Sequence, residues 1–128
     1  MKQIERVLVI DDDEISIFLT KRVLKKTGIG NAILTAPNGR EGLRLFKGAV
    51  EKGQPPQLVL LDIKMPVMDG FAFLEELGKL ETVDLSETRI VLLSSSHNLW
   101  EMERAKKYRV VSFLHKPLEK DELLRILG

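Results

Sequence analysis

The chain has 128 residues, 44% of them apolar and 30% charged, with a formal net charge of +1 and no cysteine. That length supports one domain with a real core and is too short for a second. The missing cysteines exclude disulfides, thiolate catalysis and cysteine-ligated zinc, and the small net charge gives no whole-molecule attraction to DNA or membranes.

The first strong signal is RVLVI (6–10), an apolar run without polar alternation, as expected of a strand covered on both faces. The stretch before and after it, MKQIERVLVIDDDE, lacks the apolar centre and small-residue cleavage site of a signal peptide. No run approaches the ~20 apolar residues of a membrane span, so a cytoplasmic protein is expected. Ile15, Phe18, Leu19 and Val23 then share one face of a first helix. A weaker strand, AILTA (32–36), precedes a second helix carrying Leu43, Phe46 and Val50. QLVLL (57–61) is the third strand, and Phe71, Leu74 and Leu77 mark the third helix. After the longest loop, 81–88, come a strand RIVLL (89–93), a more polar helix over 98–108, a strand VVSFL (110–114) and a terminal helix over 119–127. A β-α unit repeated five times implies right-handed crossovers. The expected fold is α/β, a flavodoxin-like doubly wound five-stranded parallel sheet in the order 2-1-3-4-5, with five helices and one domain over 1–128.

Polar residues collect where the apolar runs end. Asp11-Asp12-Asp13 follows the first, Asp62 the third, Ser94-Ser95-Ser96 the fourth and His115-Lys116-Pro117 the fifth. In an open parallel sheet these C-terminal ends line one edge, and ligands bind where strand order reverses, here between the first and third strands. Asp11 and Asp12 would thus face Asp62. Carboxylates gathered in this way repel one another, and a hard divalent cation such as Mg²⁺ is the usual remedy. The Ser94 hydroxyl can donate to a phosphoryl oxygen and the Lys116 ammonium can neutralise it. Together these groups suit phosphoryl transfer, with Asp62 as nucleophile. Pro117 constrains the backbone at Lys116, and a cis peptide is one of the options.

VLVIDDDE, LVLLDIKMPVMDG, IVLLSSS and FLHKPL, in this order and spacing, resemble the receiver domain of two-component response regulators across essentially the whole chain. The resemblance implies that Asp62 is the phosphoacceptor for a sensor histidine kinase or histidine phosphotransfer protein. It implies that Asp12 and Asp62 ligate Mg²⁺ directly, that Asp11 does so through water, and that Lys64 adds its backbone carbonyl. Ser94 and Lys116 would grip the phosphoryl oxygens, and Phe113 stands where the family places a switch aromatic. A downstream protein target would be met by the face of the fourth helix, fifth strand and fifth helix, where Trp100 and the basic Arg104, Lys106 and Lys107 lie, although those residues on their own read first as a solvated helix face.

Some positions depart from the commonest pattern of that family. Ser94 stands for Thr and Phe113 for Tyr, which removes a methyl and a phenolic hydroxyl, and Tyr108-Arg109-Val110 replaces a small-residue turn. By the resemblance, Lys64 and Ser96 occupy positions that in the family border the path of hydrolytic water, and they are expected to tune the lifetime of the phosphoryl group. Asp13, on its own reading, is a helix cap, and one serine of 94–96 is expected to cap the fourth helix. His97 and His115 receive no role. The competing reading from the enzyme class is a Mg²⁺-dependent aspartyl-nucleophile phosphatase or phosphotransferase. Its Asp-x-Asp-x-Thr/Val motif would end in Ile15 here, and no residues remain for a cap domain. Flavin binding on the same topology fares worse, because the first strand ends in acids rather than a phosphate-binding Ser/Thr/Gly loop. The chain is read as a stand-alone receiver or one cut from a larger protein.

Overall fold

A computed structural model describes residues 4–128 except 81–83, 97, 109 and 111. Five strands, β1 (Arg6–Ile10), β2 (Ala32–Ala36), β3 (Leu58–Asp62), β4 (Arg89–Ser94) and β5 (Ser112–His115), form one sheet. All pairings are parallel, as expected from the alternating pattern, and the order is the flavodoxin-like β2-β1-β3-β4-β5. The helices are α1 (Glu14–Thr27), α2 (Gly39–Glu51), α3 (Gly70–Gly78), α4 (Leu99–Ala105) and α5 (Lys120–Leu127). None of the described helices is long and apolar enough to cross a membrane.

Alternate residues of each central strand enter different cores because side chains switch face at every step. Leu8, Ile10, Val59, Leu61, Ile90 and Leu92 join Phe46 of α2 and Phe71, Phe73 and Leu77 of α3. Val7, Val9, Leu58, Leu60, Val91 and Leu93 instead pack with Leu24 of α1 and Leu123 and Leu127 of α5. Apolar side chains on both faces are why these strands read as unbroken hydrophobic runs.

The face of α1 differs from the sequence expectation. Ile15, Phe18 and Leu19 are exposed, while Thr20 and Leu24 are buried and Ile17 and Val23 pack against the core. The cause lies at the start of the helix. The Ser16 hydroxyl donates to Asp11 Oδ2 at 2.6 Å, which turns the stripe Ser16, Thr20, Leu24 toward the sheet. Phe18 is left outside, under the guanidinium of Arg22 at 5.9 Å.

Another boundary shifts. The fourth helix is shorter than 98–108, because Lys106, Lys107 and Tyr108 donate their N–H groups to the carbonyls three residues back, tightening the chain out of the α-helix. Its cap is Asn98, whose side chain accepts from the Trp100 N–H, rather than one of the serines. β5 is described over Ser112–His115, and Val111 of the expected run VVSFL lies outside the described residues. Of the loop expected over 81–88, residues 81–83 lie outside the described part, as does His97.

Candidate functional site

Register brings the acidic residues together. Ile10 pairs with Leu61 across β1 and β3, so the next residues, Asp11 and Asp62, emerge side by side at the sheet edge. Asp11, Asp12 and Asp62 each offer a carboxylate oxygen, and these oxygens lie within 4.8 Å of one another. Asp11 and Asp62 are buried whereas Asp12 is exposed. Asp11 is held further by accepting the Asp13 N–H at 3.0 Å, and Asp13 caps α1 by accepting from the Ile15 N–H. Asp13 is thus the helix cap expected from the sequence.

Lys116 reaches the same carboxylates from β5. Its Nζ donates to Asp11 Oδ2 at 2.8 Å and lies 3.4 Å from Asp62 Oδ1, with the lysine side chain only 19% exposed. The backbone carries it there: the Lys116 N–H donates to the Ser94 carbonyl, and the Lys116–Pro117 peptide is cis. Burial pulls the Lys116 ammonium down, but the hydrogen bond to Asp11 and the charges of Asp62 and Asp11 outweigh it and hold the pKa above 10.5. Asp62 moves the other way. Burial pushes its carboxyl up from 3.8 to about 6, and Asp11 and Asp12 add to the rise while Lys116 opposes it. Burial therefore disfavours the ionised form of Asp62 by more than Lys116 offsets.

The turn after Asp62 is built for close approach. The Asp62 carboxylate accepts the Ile63 N–H at 3.0 Å, and the Gly70 N–H donates to the Ile63 carbonyl at 2.8 Å. A Cβ at Gly70 would stand 2.6 Å from the Asp62 carbonyl oxygen, so only glycine fits. Asp69 caps α3 through the Ala72 N–H. Lys64 is exposed on this turn. Between them, Val67 adopts φ 70 with the Met68 N–H donating to the Pro66 carbonyl at 2.9 Å. A β-branched residue in that region is strained by about 1–2 kcal/mol. Val67→Gly, 70% exposed in the native chain, is expected to gain roughly 0.5–1 kcal/mol net of the added chain entropy. A urea midpoint that falls instead would show that Val67 makes contacts worth more than its strain.

The remaining predicted residues sit on the opposite wall. Ser94 ends β4, and its hydroxyl is engaged away from the carboxylates: it donates to Glu101 Oε1 at 2.7 Å and accepts the Ser96 N–H at 3.0 Å. The half-buried Phe113 packs against the core shared with Leu92 and meets the His115 ring edge-on, centroids 5.6 Å apart. The structure thus brings Asp11, Asp12, Asp62 and Lys116 into one cluster. The Ser94 hydroxyl is bonded instead to Glu101 of α4, and Phe113 packs on the core beside His115. Sequence reasoning missed Ser16 and Glu101. Ser16 could have been found from its place one turn into the helix that follows the acids, and Glu101 from the spacing Asn98-x-x-Glu101 of a capping box.

Comparison with known proteins places this geometry. The family model described as response regulator receiver domain matches residues 7–128, and the chain belongs to that family. Over 96% of its length it is 32% identical to the two-component response regulator ORR41 of Oryza sativa, covering 91% of that protein. It is 27% identical to the chemotaxis protein CheY of Bacillus subtilis, with 96% of this chain and 94% of that protein covered. Other relatives are longer: the chain spans 45% of the probable transcriptional regulator ycf27 of Porphyra purpurea, at 32% identity over 94% of this chain. In fold it matches a two-component response regulator from Cytophaga hutchinsonii with a TM-score of 0.90 at 24% identity, over 98% of this chain and 96% of the other.

Proposed function

We propose that the protein is a phosphoacceptor switch, taking a phosphoryl group on Asp62 from a sensor histidine kinase or histidine phosphotransfer protein. The carrying observation is the cluster of three carboxylates with Lys116 beside Asp62 at the edge of the sheet. Both contacts of the Asp62 carboxylate fall on Oδ1. That leaves Oδ2 to attack phosphorus, with the bond from phosphorus to the donor's histidine nitrogen breaking as the new O–P bond forms.

The donor set fits Mg²⁺, which takes hard oxygen ligands and tolerates few protein carboxylates. Asp11, Asp12 and Asp62 would hold it, with the Lys64 carbonyl. When bound, such an ion supplies positive charge to offset the gathered carboxylates and the incoming phosphoryl oxygens. Lys116 supplies a further charge from the chain itself, and Asp11 and Ser16 keep that lysine and the start of α1 in register. Ser94 and Phe113 are assigned to the switch, Ser94 turning to a phosphoryl oxygen and Phe113 following inward. A changed surface of α4, β5 and α5 is the output, and exposed Leu99 and Trp100 offer a protein target its contact. The phosphodonor has a separate apolar patch, Ile15, Phe18 and Leu19, on the helix that follows the acids. Nothing in this reading requires turnover of an external substrate, so the protein acts on its own phosphorylation and dephosphorylation only.

Incubation with Mg²⁺ and acetyl phosphate, followed by intact mass, tests the assignment. The expected result is one added phosphoryl group, lost on raising the pH or adding hydroxylamine as befits an acyl phosphate. Steady release of phosphate from a small phosphomonoester would favour the phosphatase reading instead.

A further inference from the structure

Glu101 is the one carboxylate buried on the α4 side of the sheet among the described residues, 8% exposed, and phosphoryl transfer at Asp62 has no direct use for it. Its position follows from a displaced cap. Asn98 is the N-cap of α4, and Glu101 stands three residues on, where a glutamate ordinarily reaches back to the N-cap N–H. Here that N–H is already taken, donating to Ser96 Oγ at 3.0 Å. Glu101 is released from the capping box and turns to β4. Its Oε1 accepts the Ser94 hydroxyl at 2.7 Å, a shorter contact than the competing Ser96 carbonyl at 3.0 Å. A hydroxyl has one proton, and an ionised carboxylate is the stronger acceptor.

We propose that Glu101 is a positioning residue for phosphoryl transfer: by accepting the Ser94 hydroxyl it holds Ser94 in the resting arrangement, so that a phosphoryl group on Asp62 must win that proton from an internal carboxylate. The inference rests on the phosphoacceptor reading and adds a residue to it. Both acceptors are oxygens, and Ser94 serves one at a time. Glu101 thus sets how far the switch stays off without phosphate. It also carries the change outward, because a Glu101 that has lost Ser94 must find a new partner for its charge. The groove of about 320 Å³ beside it is lined by Lys64, Asn98, Trp100 and Arg104. Arg104 now lies over the Phe71 ring at 4.4 Å, and Trp100 is 82% exposed. Lys64 or Arg104 can receive the carboxylate, and α4 would move with it.

The test has two arms. In metal-free protein, a double-mutant cycle of urea stability over Glu101→Ala and Ser94→Ala should be non-additive by a factor of about 5–10 in the folding equilibrium constant; additive effects overturn the proposal. In the second arm, beryllofluoride with Mg²⁺ is titrated against Trp100 fluorescence. Wild type should bind, Glu101→Ala should bind about 5–20-fold more tightly, Glu101→Gln should lie between, and the gain should vanish in the Ser94→Ala background. Binding by wild type with no gain in Glu101→Ala overturns the role of Glu101 alone. Wild type that fails to bind removes the phosphoacceptor reading, and this inference with it. A gain that persists without Ser94 would show that Glu101 acts only through the packing of α4, which also overturns it.

Discussion

Asp62→Asn is expected to abolish phosphoryl incorporation from acetyl phosphate while making the metal-free protein more stable at neutral pH. The first effect follows from the loss of the nucleophilic oxygen. The second follows from the electrostatics of the cluster. Folding takes the Asp62 carboxyl from an ordinary 3.8 to about 6, chiefly by burial, with Asp11 and Asp12 contributing. Between those values the folded chain holds a proton that the unfolded chain has released, so stability falls as the pH rises through the window. Below pH 3.8 both states are protonated and nothing is lost. Above 6 the full cost of a buried, ionised Asp62 applies. The unscreened difference is about 3 kcal/mol, which solvent at the open edge reduces to about 1–2 kcal/mol. The asparagine variant has no such group. Its advantage over wild type in urea midpoint, measured in EDTA, should be absent near pH 4, grow through pH 5 and 6, and level off above about 7. An advantage independent of pH would assign the effect to packing, and a phosphorylated asparagine variant would move the acceptor elsewhere.

The same cluster shows what a sequence can carry. The parallel doubly wound sheet was legible because its strands are buried on both faces, such as Leu58–Asp62, while the meeting of Asp11 with Asp62 followed from taking the flavodoxin-like strand order. Once the order is set, register does the rest, Ile10 beside Leu61 placing the two acids together. The orientation of α1 was not legible. Ile15, Phe18 and Leu19 have helical spacing as good as that of the stripe that is actually buried, and the Ser16–Asp11 hydrogen bond that accompanies the burial of Thr20 and Leu24 is not visible in that spacing. That contact spans the strand-to-helix turn, beyond the reach of periodicity. Glu101 was hidden for a related reason: its spacing from Asn98 signals a local cap, whereas its partner lies on β4. Where the local rule is displaced, here by Ser96 taking the Asn98 N–H, the freed side chain is the one available for function.

Lys116→Met should cost the metal-free protein about 2–4 kcal/mol at pH 7.5, the penalty of leaving buried carboxylates without their cation. Methionine keeps most of the stem's volume, so the loss is electrostatic. The ammonium contacts Asp11 at 2.8 Å and Asp62 at 3.4 Å, and these two side chains are only 2% and 8% exposed. Because the Lys116 pKa is raised above 10.5, its contribution is complete below that value and is lost only as the pH climbs through the folded pKa, so it is flat on the alkaline side of the Asp62 titration until the lysine itself titrates. On the acid side the gap between variant and wild type should narrow. Without Lys116 the Asp62 pKa rises further, since both influences that lower it come from that lysine, and protonation then relieves the repulsion. Mg²⁺ at millimolar concentration provides the sharper discrimination. If the divalent ion occupies the acidic edge, it replaces the lost charge and should raise the urea midpoint of the variant more than that of wild type. A destabilisation indifferent to both Mg²⁺ and pH would mean that Lys116 supports the turn before α5 by packing and has no part in balancing the carboxylates.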